Sequence, residues 1–341
     1  MIRLGIIGTG MIAKEFLPAF VSLPEYEVRG ILSTTRSLRT AQKLCEQYGI
    51  PCATDDFQTL CASGIDTVYV AVPNLLHRDY CVRALEKGLN VIVEKPLTCC
   101  VEEAVELRNL AKARKKFLFE AITTVYLDSY RKIPELLPRI GEVKLVQSQF
   151  CQFSSRYEAF QRGEIAPVFD PAKAGGAMLD LNVYNLHFIL GLFGPPEEAQ
   201  YVPALERGVD TCGVTILRYP GFPALCTCAK SCGGAGWSLI QGSRGRIRTT
   251  GTPNWVGDVI LELNDGTVER YSGTGERERC FAELRAFAEI IAAGDYEACW
   301  QALERSLALC EVMTRIRRSA GIVYPGERTA STGKLPLTVS D

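Results

Sequence analysis

The chain reads as an α/β protein, with an N-terminal doubly wound parallel sheet followed by a C-terminal α+β domain that carries a large, mostly antiparallel sheet. Three observations point there. The glycine-rich turn Gly8-Thr9-Gly10 joins an apolar run to an amphipathic one near the N-terminus. Apolar runs of strand length then alternate with helical runs of about 10 to 15 residues, the pattern of βαβ units. After about residue 122, strand-like runs follow one another without helices between them, as in an antiparallel sheet.

Each element has its own signal. Residues 3–8 are an apolar strand, and 11–22 a helix entered through the glycine turn. Residues 28–33 form a second strand, and 37–48 a helix that Gly49 closes at the cap position. Residues 67–72 are continuously apolar, as expected of a strand covered on both faces; a helix over 77–86 follows, ended by Gly88. Residues 91–94, a helix over 101–113 and a short strand at 117–121 complete this half. Beyond it, strands are expected at 143–153, 211–218, 224–230, 237–241, 246–249 and 259–263, with helices at 177–192, 279–293 and 296–319. The domains so defined are residues 1–121 for the nucleotide, 122–328 for substrate and dimerisation, and a polar tail at 329–341.

Composition narrows the function. At 341 residues the chain is long enough for two cores. Apolar residues make up 47 % and charged residues 23 %, as in ordinary globular proteins, and the net charge of −1 gives no electrostatic basis for a nucleic-acid or membrane partner. The first residues read as a strand rather than a targeting segment, and no apolar stretch approaches the roughly 18 residues of a membrane helix, so a cytoplasmic location is expected. The 14 cysteines are scattered singly, as packed thiols are. Cys226, Cys228 and Cys232 are the densest group, but zinc sites usually draw two such pairs or add histidines, and His77 and His187 are the only histidines, so no metal is expected.

Gly8-Thr9-Gly10-Met11-Ile12-Ala13 matches G-x-G-x-x-G/A between a strand and a helix, the Rossmann context in which the motif binds a dinucleotide. The first glycine makes the turn, the second lets backbone approach a pyrophosphate, and the helix N-terminus offers its N–H groups. In place of an acid that would hold the ribose hydroxyls of NAD, the end of the second strand carries Ser33, Thr34 and Arg36. Hydroxyls and a guanidinium suit a 2′-phosphate, so NADP is favoured and NAD is the alternative; Arg36 has a plainer reading as a solvated loop residue. Val72, Pro73, Asn74 and His77 follow the third strand and lie on the same carboxyl edge, as do Glu94 and Lys95. An amine at the end of the apolar run Val91-Ile92-Val93 normally has a task, and Pro96 biases Lys95 toward extended backbone.

These segments resemble the glucose-fructose oxidoreductase, inositol dehydrogenase and MocA-like family (Gfo/Idh/MocA). The resemblance rests on Gly8-Thr9-Gly10, Pro73-Asn74 with His77, Glu94-Lys95-Pro96, and Gly175-Gly176-Ala177-Met178-Leu179-Asp180-Leu181-Asn182-Val183-Tyr184, in that order over nearly the whole chain. It implies that Lys95 stands at the active site and that the Asp180 segment opens the helix supplying the acid. Tyrosine at 184, where many members have histidine, resembles the branch of dimeric dihydrodiol dehydrogenase and glucose-fructose oxidoreductase, as do the residues 168–176 and Leu217-Arg218-Tyr219-Pro220. Thr123 and Val125 depart from that branch, which has Trp and Arg there, so a different pocket is expected and aromatic diols are doubtful substrates.

The chemistry also follows from the residues. Reducing a carbonyl requires hydride on carbon and a proton on the developing alkoxide. Free tyrosine, with a pKa of about 10, is a poor base near neutrality, and an ammonium within about 4 to 6 Å favours the phenolate. Tyr184 is therefore expected as acid and base, Lys95 as the group that lowers its pKa, and Asp180 as a carboxylate that orients the lysine or a substrate hydroxyl. Tyr184 also reads as a satisfied core tyrosine, Asp180 as a first-turn helix charge, Glu94 as a strand-positioning ion-pair member, and His187 as packing or pocket lining. The reading is an NAD(P)-dependent oxidoreductase acting on a sugar, polyol or diol-like molecule, with substrate determinants in residues 152–170. A non-catalytic NADP-binding redox sensor is the alternative. The open face of the antiparallel sheet predicts a homodimer or a dimer of dimers.

Overall fold

The computed structural model describes residues 1–273, 275, 278–325 and 327, so the expected tail at 329–341 lies outside the described residues. The first sheet has six strands: β1 (Ile2–Ile7), β2 (Tyr26–Leu32), β3 (Cys52–Thr54), β4 (Thr67–Val70), β5 (Asn90–Glu94) and β6 (Leu118–Ala121). All are parallel, in the order β3-β2-β1-β4-β5-β6. The strand order reverses between β1 and β4, which opens a crevice at their carboxyl ends. The helices are α1 (Met11–Ser22), α2 (Leu38–Tyr48), α3 (Phe57–Ala62), α4 (His77–Glu86) and α5 (Val101–Arg114). Every residue of β4 is buried, which is why its sequence runs apolar without alternation. Gly49 ends α2 at φ 67°, a left-handed cap that glycine adopts without strain. The short β3 and α3 are not among the elements expected from the sequence, because runs of three and six residues are too short to show a period.

The second domain adds α6 (Asp128–Leu136), β7 (Val143–Cys151), α7 (Tyr157–Gln161), α8 (Val183–Phe193), β8 (Glu198–Glu206), β9 (Val209–Tyr219), β10 (Phe222–Ala229), β11 (Trp237–Gly242), β12 (Gly245–Thr250), β13 (Val259–Leu263), β14 (Val268–Tyr271), α9 (Arg279–Ala293) and α10 (Tyr296–Ser319). Its eight strands are ordered β14-β13-β12-β11-β7-β10-β9-β8, antiparallel except for the parallel pair of β10 and β7. On the inner face Val146, Phe150, Leu217, Cys226, Cys228 and Ile240 are buried in one core with Leu186, Phe188 and Ile189 of α8. Burial of side chains this size contributes about 1.5–3 kcal/mol each. Cys226 and Cys228 do share one face, and it is the packed one.

Two features bear on the site. The helix expected at 177–192 starts instead as a π turn over Met178–Asn182 and becomes α-helical from Val183. The long α10 returns to the first domain, where Leu303, Leu307 and Cys310 join the core beneath β4, β5 and α5. No described helix is long and apolar enough to cross a membrane.

Candidate active site

The glycine turn fits a dinucleotide pyrophosphate. Gly8 has φ 117°, and a Cβ there would overlap the Ala71 carbonyl oxygen, so only glycine is accommodated. A Cβ on Gly10 would meet nothing within 4 Å, which leaves open space over the turn. Gly10 caps α1 without a side-chain hydrogen bond, so the first-turn N–H groups around Met11 and Ile12 keep their donors for an anion. At the end of β2, Ser33 is buried, Thr34 is exposed and its hydroxyl lies 2.8 Å from that of Ser37, and Arg36 is exposed. A guanidinium and hydroxyls there match a phosphate on the adenosine ribose.

The loops after β4 and β5 are tied together below the crevice. His77 is buried, with Nδ1 2.9 Å from the Pro96 carbonyl and Nε2 3.0 Å from that of Val72, so it braces both loops rather than facing a ligand. Asn74, beside the exposed Pro73, donates to the Ala174 carbonyl at 3.2 Å and links this loop to the second domain at the rim of the site. Glu94 departs from the expectation of a cofactor contact: its side chain is buried and accepts a hydrogen bond from the Tyr69 hydroxyl. Burial pushes the Glu94 carboxyl up to about 7, against Tyr69 and Lys95, which pull it down.

Lys95, Asp180 and Tyr184 come together at the carboxyl edge of the sheet. Lys95 Nζ donates to the Asp180 carbonyl oxygen and to Asp180 Oδ1, both at 2.9 Å, and lies 5.0 Å from the centre of the Tyr184 ring. The Asp180 carbonyl that accepts the first of these bonds belongs to the π turn over Met178–Asn182. The second carboxylate oxygen of Asp180 accepts from Lys230 Nζ. Burial opposes the charge of Asp180, but the two ammonium groups prevail and hold its carboxyl well below the usual range. Burial likewise opposes the charge on Lys95, yet Asp180, Tyr184 and Glu94 keep it firmly protonated.

Tyr184 corrects the expected titration. Burial raises its pKa, Lys95 lowers it, and Glu94 and Asp180 raise it again, so the net effect is upward from the ordinary value. The ammonium stands near enough, but it faces the ring and donates to Asp180, and much of its field is cancelled by the carboxylate it holds. Tyr184 is a hydroxyl near neutrality, able to give a proton.

Sequence reasoning missed Lys230, a buried amine directly after the apolar run of β10, although it carries the same signal as Lys95. It also missed Asp210, which anchors the start of the Asp180 segment. Asp210 is buried and accepts from the Met178 N–H at 2.7 Å and the Tyr201 hydroxyl at 2.8 Å. Gly176, at φ 127°, passes so close that any Cβ would overlap the Asp210 carboxylate. His187 lies off the Lys95 site: its Nε2 is 3.1 Å from Glu120 Oε2.

A dinucleotide cradle facing a lysine–tyrosine cluster defines an NAD(P)-dependent oxidoreductase. Residues 2–122 match the model of an oxidoreductase family with an NAD-binding Rossmann fold, and residues 130–248 match the GFO/IDH/MocA C-terminal domain. The chain belongs to the GFO/IDH/MocA family. It is 32 % identical over 330 residues to the scyllo-inositol 2-dehydrogenase (NADP(+)) IolU of Bacillus subtilis, covering 96 % of this chain and 100 % of that one. It is 28 % identical over 347 residues to a trans-1,2-dihydrobenzene-1,2-diol dehydrogenase of Danio rerio, covering 95 % and 98 %. Among solved structures it is similar to KijD10, a 3-ketoreductase from Actinomadura kijaniata in complex with NADP and TDP-benzene. The TM-score there is 0.81 at 25 % identity, over 95 % of this chain and 99 % of that one.

Proposed function

We propose that the protein is an NADP-dependent oxidoreductase that interconverts a hydroxyl and a carbonyl on a sugar, polyol or diol-like molecule, with Tyr184 as the proton donor. The observation that carries this reading is the convergence of Lys95, Asp180, Lys230 and Tyr184 at the sheet edge that the glycine turn also faces. The choice of NADP is supported by Ser33, Thr34 and Arg36 at the end of β2, by the lack of an acid in that run, and by the NADP(+) named for IolU. NADP held at the Gly8–Gly10 turn and by Ser33, Thr34 and Arg36 would supply or accept the hydride. Tyr184 holds a proton at its hydroxyl for the alkoxide that develops during reduction, and the Lys95 ammonium stabilises that oxygen's negative charge. Asp180, held ionised, fixes the ammonium and has acceptor capacity for a substrate hydroxyl. A redox sensor would leave this charge cluster without a task. All fourteen cysteines are free thiols, which suits a reducing compartment, and we place the enzyme in the cytoplasm.

The test is absorbance at the nicotinamide band with NADPH and a panel of sugar and polyol ketones. Tyr184→Phe is expected to lower kcat by about 10²- to 10⁴-fold while NADPH binding, read by fluorescence, is retained. Full turnover by Tyr184→Phe would remove the tyrosine from the mechanism.

A further inference from the structure

Behind the reacting groups lies a second buried contact between the domains. Glu120, the last residue but one of β6, is 4 % exposed, and its Oε1 accepts from the Leu97 N–H at 2.8 Å. That bond holds the turn that carries Lys95, two residues upstream. The other carboxylate oxygen lies 3.1 Å from Nε2 of His187, which is also buried. The contact is close but not aligned as a hydrogen bond, and neither atom has another hydrogen-bond partner among the described residues. His187 stands three residues after Tyr184 on α8, one helical turn along the same face. A cavity of about 70 Å³ adjoins the pair, lined by Glu120, His187, Arg305 and Ser306 with apolar Val125 and Leu190.

We propose that Glu120 and His187 are a positioning pair that fixes the Lys95 turn relative to Tyr184 across the junction of the two domains. The inference rests on the reading of Lys95 and Tyr184 as the reacting groups. A single carboxylate grips the lysine's turn with one oxygen and the tyrosine's helix with the other, so the pair closes a path from Lys95 through Leu97, Glu120 and His187 to Tyr184. A buried carboxylate oxygen and a buried ring nitrogen that face each other with no other hydrogen-bond partner are costly to keep unless the geometry they enforce is used. Neither residue touches the reacting atoms. Their effect belongs to the alignment of groups that do, where an error of about 1 Å costs on the order of a hundredfold in rate.

Imidazole rescue tests the pair, because the cavity beside His187 gives an added ring room next to the space that a truncation leaves; apolar cavities of about 150 Å³ admit benzene. His187→Ala is expected to lower kcat roughly tenfold, with KM and Kd for NADPH unchanged within about twofold, and added imidazole is expected to restore most of the loss. His187→Gln, which keeps an N–H group to present to Glu120, is expected to keep most of kcat. Unchanged kcat in His187→Ala, or a loss that neither imidazole nor His187→Gln restores, would overturn the proposal. Should His187→Ala fail to fold, His187→Gln against His187→Leu at matched thermal midpoints carries the same comparison, and equal kcat in the two overturns it. Tyr184→Phe is run alongside: full turnover there overturns the functional reading and the pair with it, whereas a dead Tyr184→Phe beside a fully active His187→Ala overturns the pair alone.

Discussion

At the scale of single residues, the chemistry is decided by how three neighbouring charges share one another. Asp180 holds two ammonium groups, Lys95 and Lys230, and is kept ionised by both. Tyr184, whose pKa is driven up by burial despite Lys95, keeps its proton through the neutral range. An acid donates only below its pKa, so kcat for carbonyl reduction is expected to stay level from about pH 6 to pH 9. Alcohol oxidation, which needs the phenolate, is expected to rise with pH across the same window. Matched pH–rate profiles check both, and an alkaline limb in reduction near pH 7 to 8 would contradict the assignment. Lys230→Met removes half of the charge that holds Asp180, so the acid limb of kcat is expected to move to higher pH, with a loss of about 10- to 100-fold. Lys95, Asp180 and Tyr184 were legible because each combines an unusual residue type with a telling place. Lys230 had the same signature and was passed over. The net direction of the Tyr184 shift was not legible, because it depends on burial and on Glu94, which no local pattern reveals.

At the scale of elements, the strand that delivers Lys95 carries a titration of its own. Glu94 ends β5 in the core, and burial raises its carboxyl from 4.5 to about 7. The folded value lies above the unfolded one, so the protonated form is the one the fold favours. The associated stability is fully present below about pH 4.5 and is lost as pH rises through about 7. The size is on the order of 3 kcal/mol. The thermal midpoint is therefore expected to fall between about pH 5 and pH 8, and Glu94→Gln is expected to flatten that decline while still accepting from Tyr69. A decline of equal slope in the variant would show that another group is responsible. The helix after Gly176 was legible as a helix over 177–192, but its opening π turn was not. One extra residue in a turn leaves the apolar spacing nearly intact, and the turn is held by tertiary partners, Asp210 at Met178 and Lys95 at Asp180. A polar ladder seats the same element on the sheet: Asn182 donates to Thr215 at 2.8 Å, Asn185 to the Thr227 carbonyl at 3.0 Å, and Ser148 to Asn185 at 2.9 Å.

At the scale of the whole molecule, the succession of strands and helices was legible but the order of strands in each sheet was not, since register is set by partners distant in sequence. β8 escaped notice because it is an edge strand interrupted by a proline, and Tyr201 alone of its nine residues is buried. The exposed face of its sheet leads to the last expectation. Along β8, β9, β10, β7 and β11, Val202, Val214, Ile216, Leu225, Leu145 and Leu239 share the face away from the helices; Val202 pairs with Val214 and Ile216 with Leu225, while Leu225 and Leu239 flank Gln147, one step from Leu145. Val202 is 53 % and Ile216 45 % exposed, so the face is uncovered within one chain. At about 4.8 Å between strands, eight strands present roughly 700 Å² on this face, close to the approximately 800 Å² per partner of a stable interface. The charges at its margins are already paired within the chain, Arg218 with Glu197 and Glu198, and Arg246 and Arg248 with Glu262. A margin neutral in itself does not repel a copy of itself, and a two-fold axis through the sheet would pair this face isologously. We therefore expect a homodimer built on the open face. Light scattering should give twice the chain mass of 37.6 kDa for the native protein, and half that value for Ile216→Asp combined with Leu225→Asp, with NADPH binding retained in the monomer. A native protein that scatters as a monomer at micromolar concentration would leave the face without a partner and the expectation refuted.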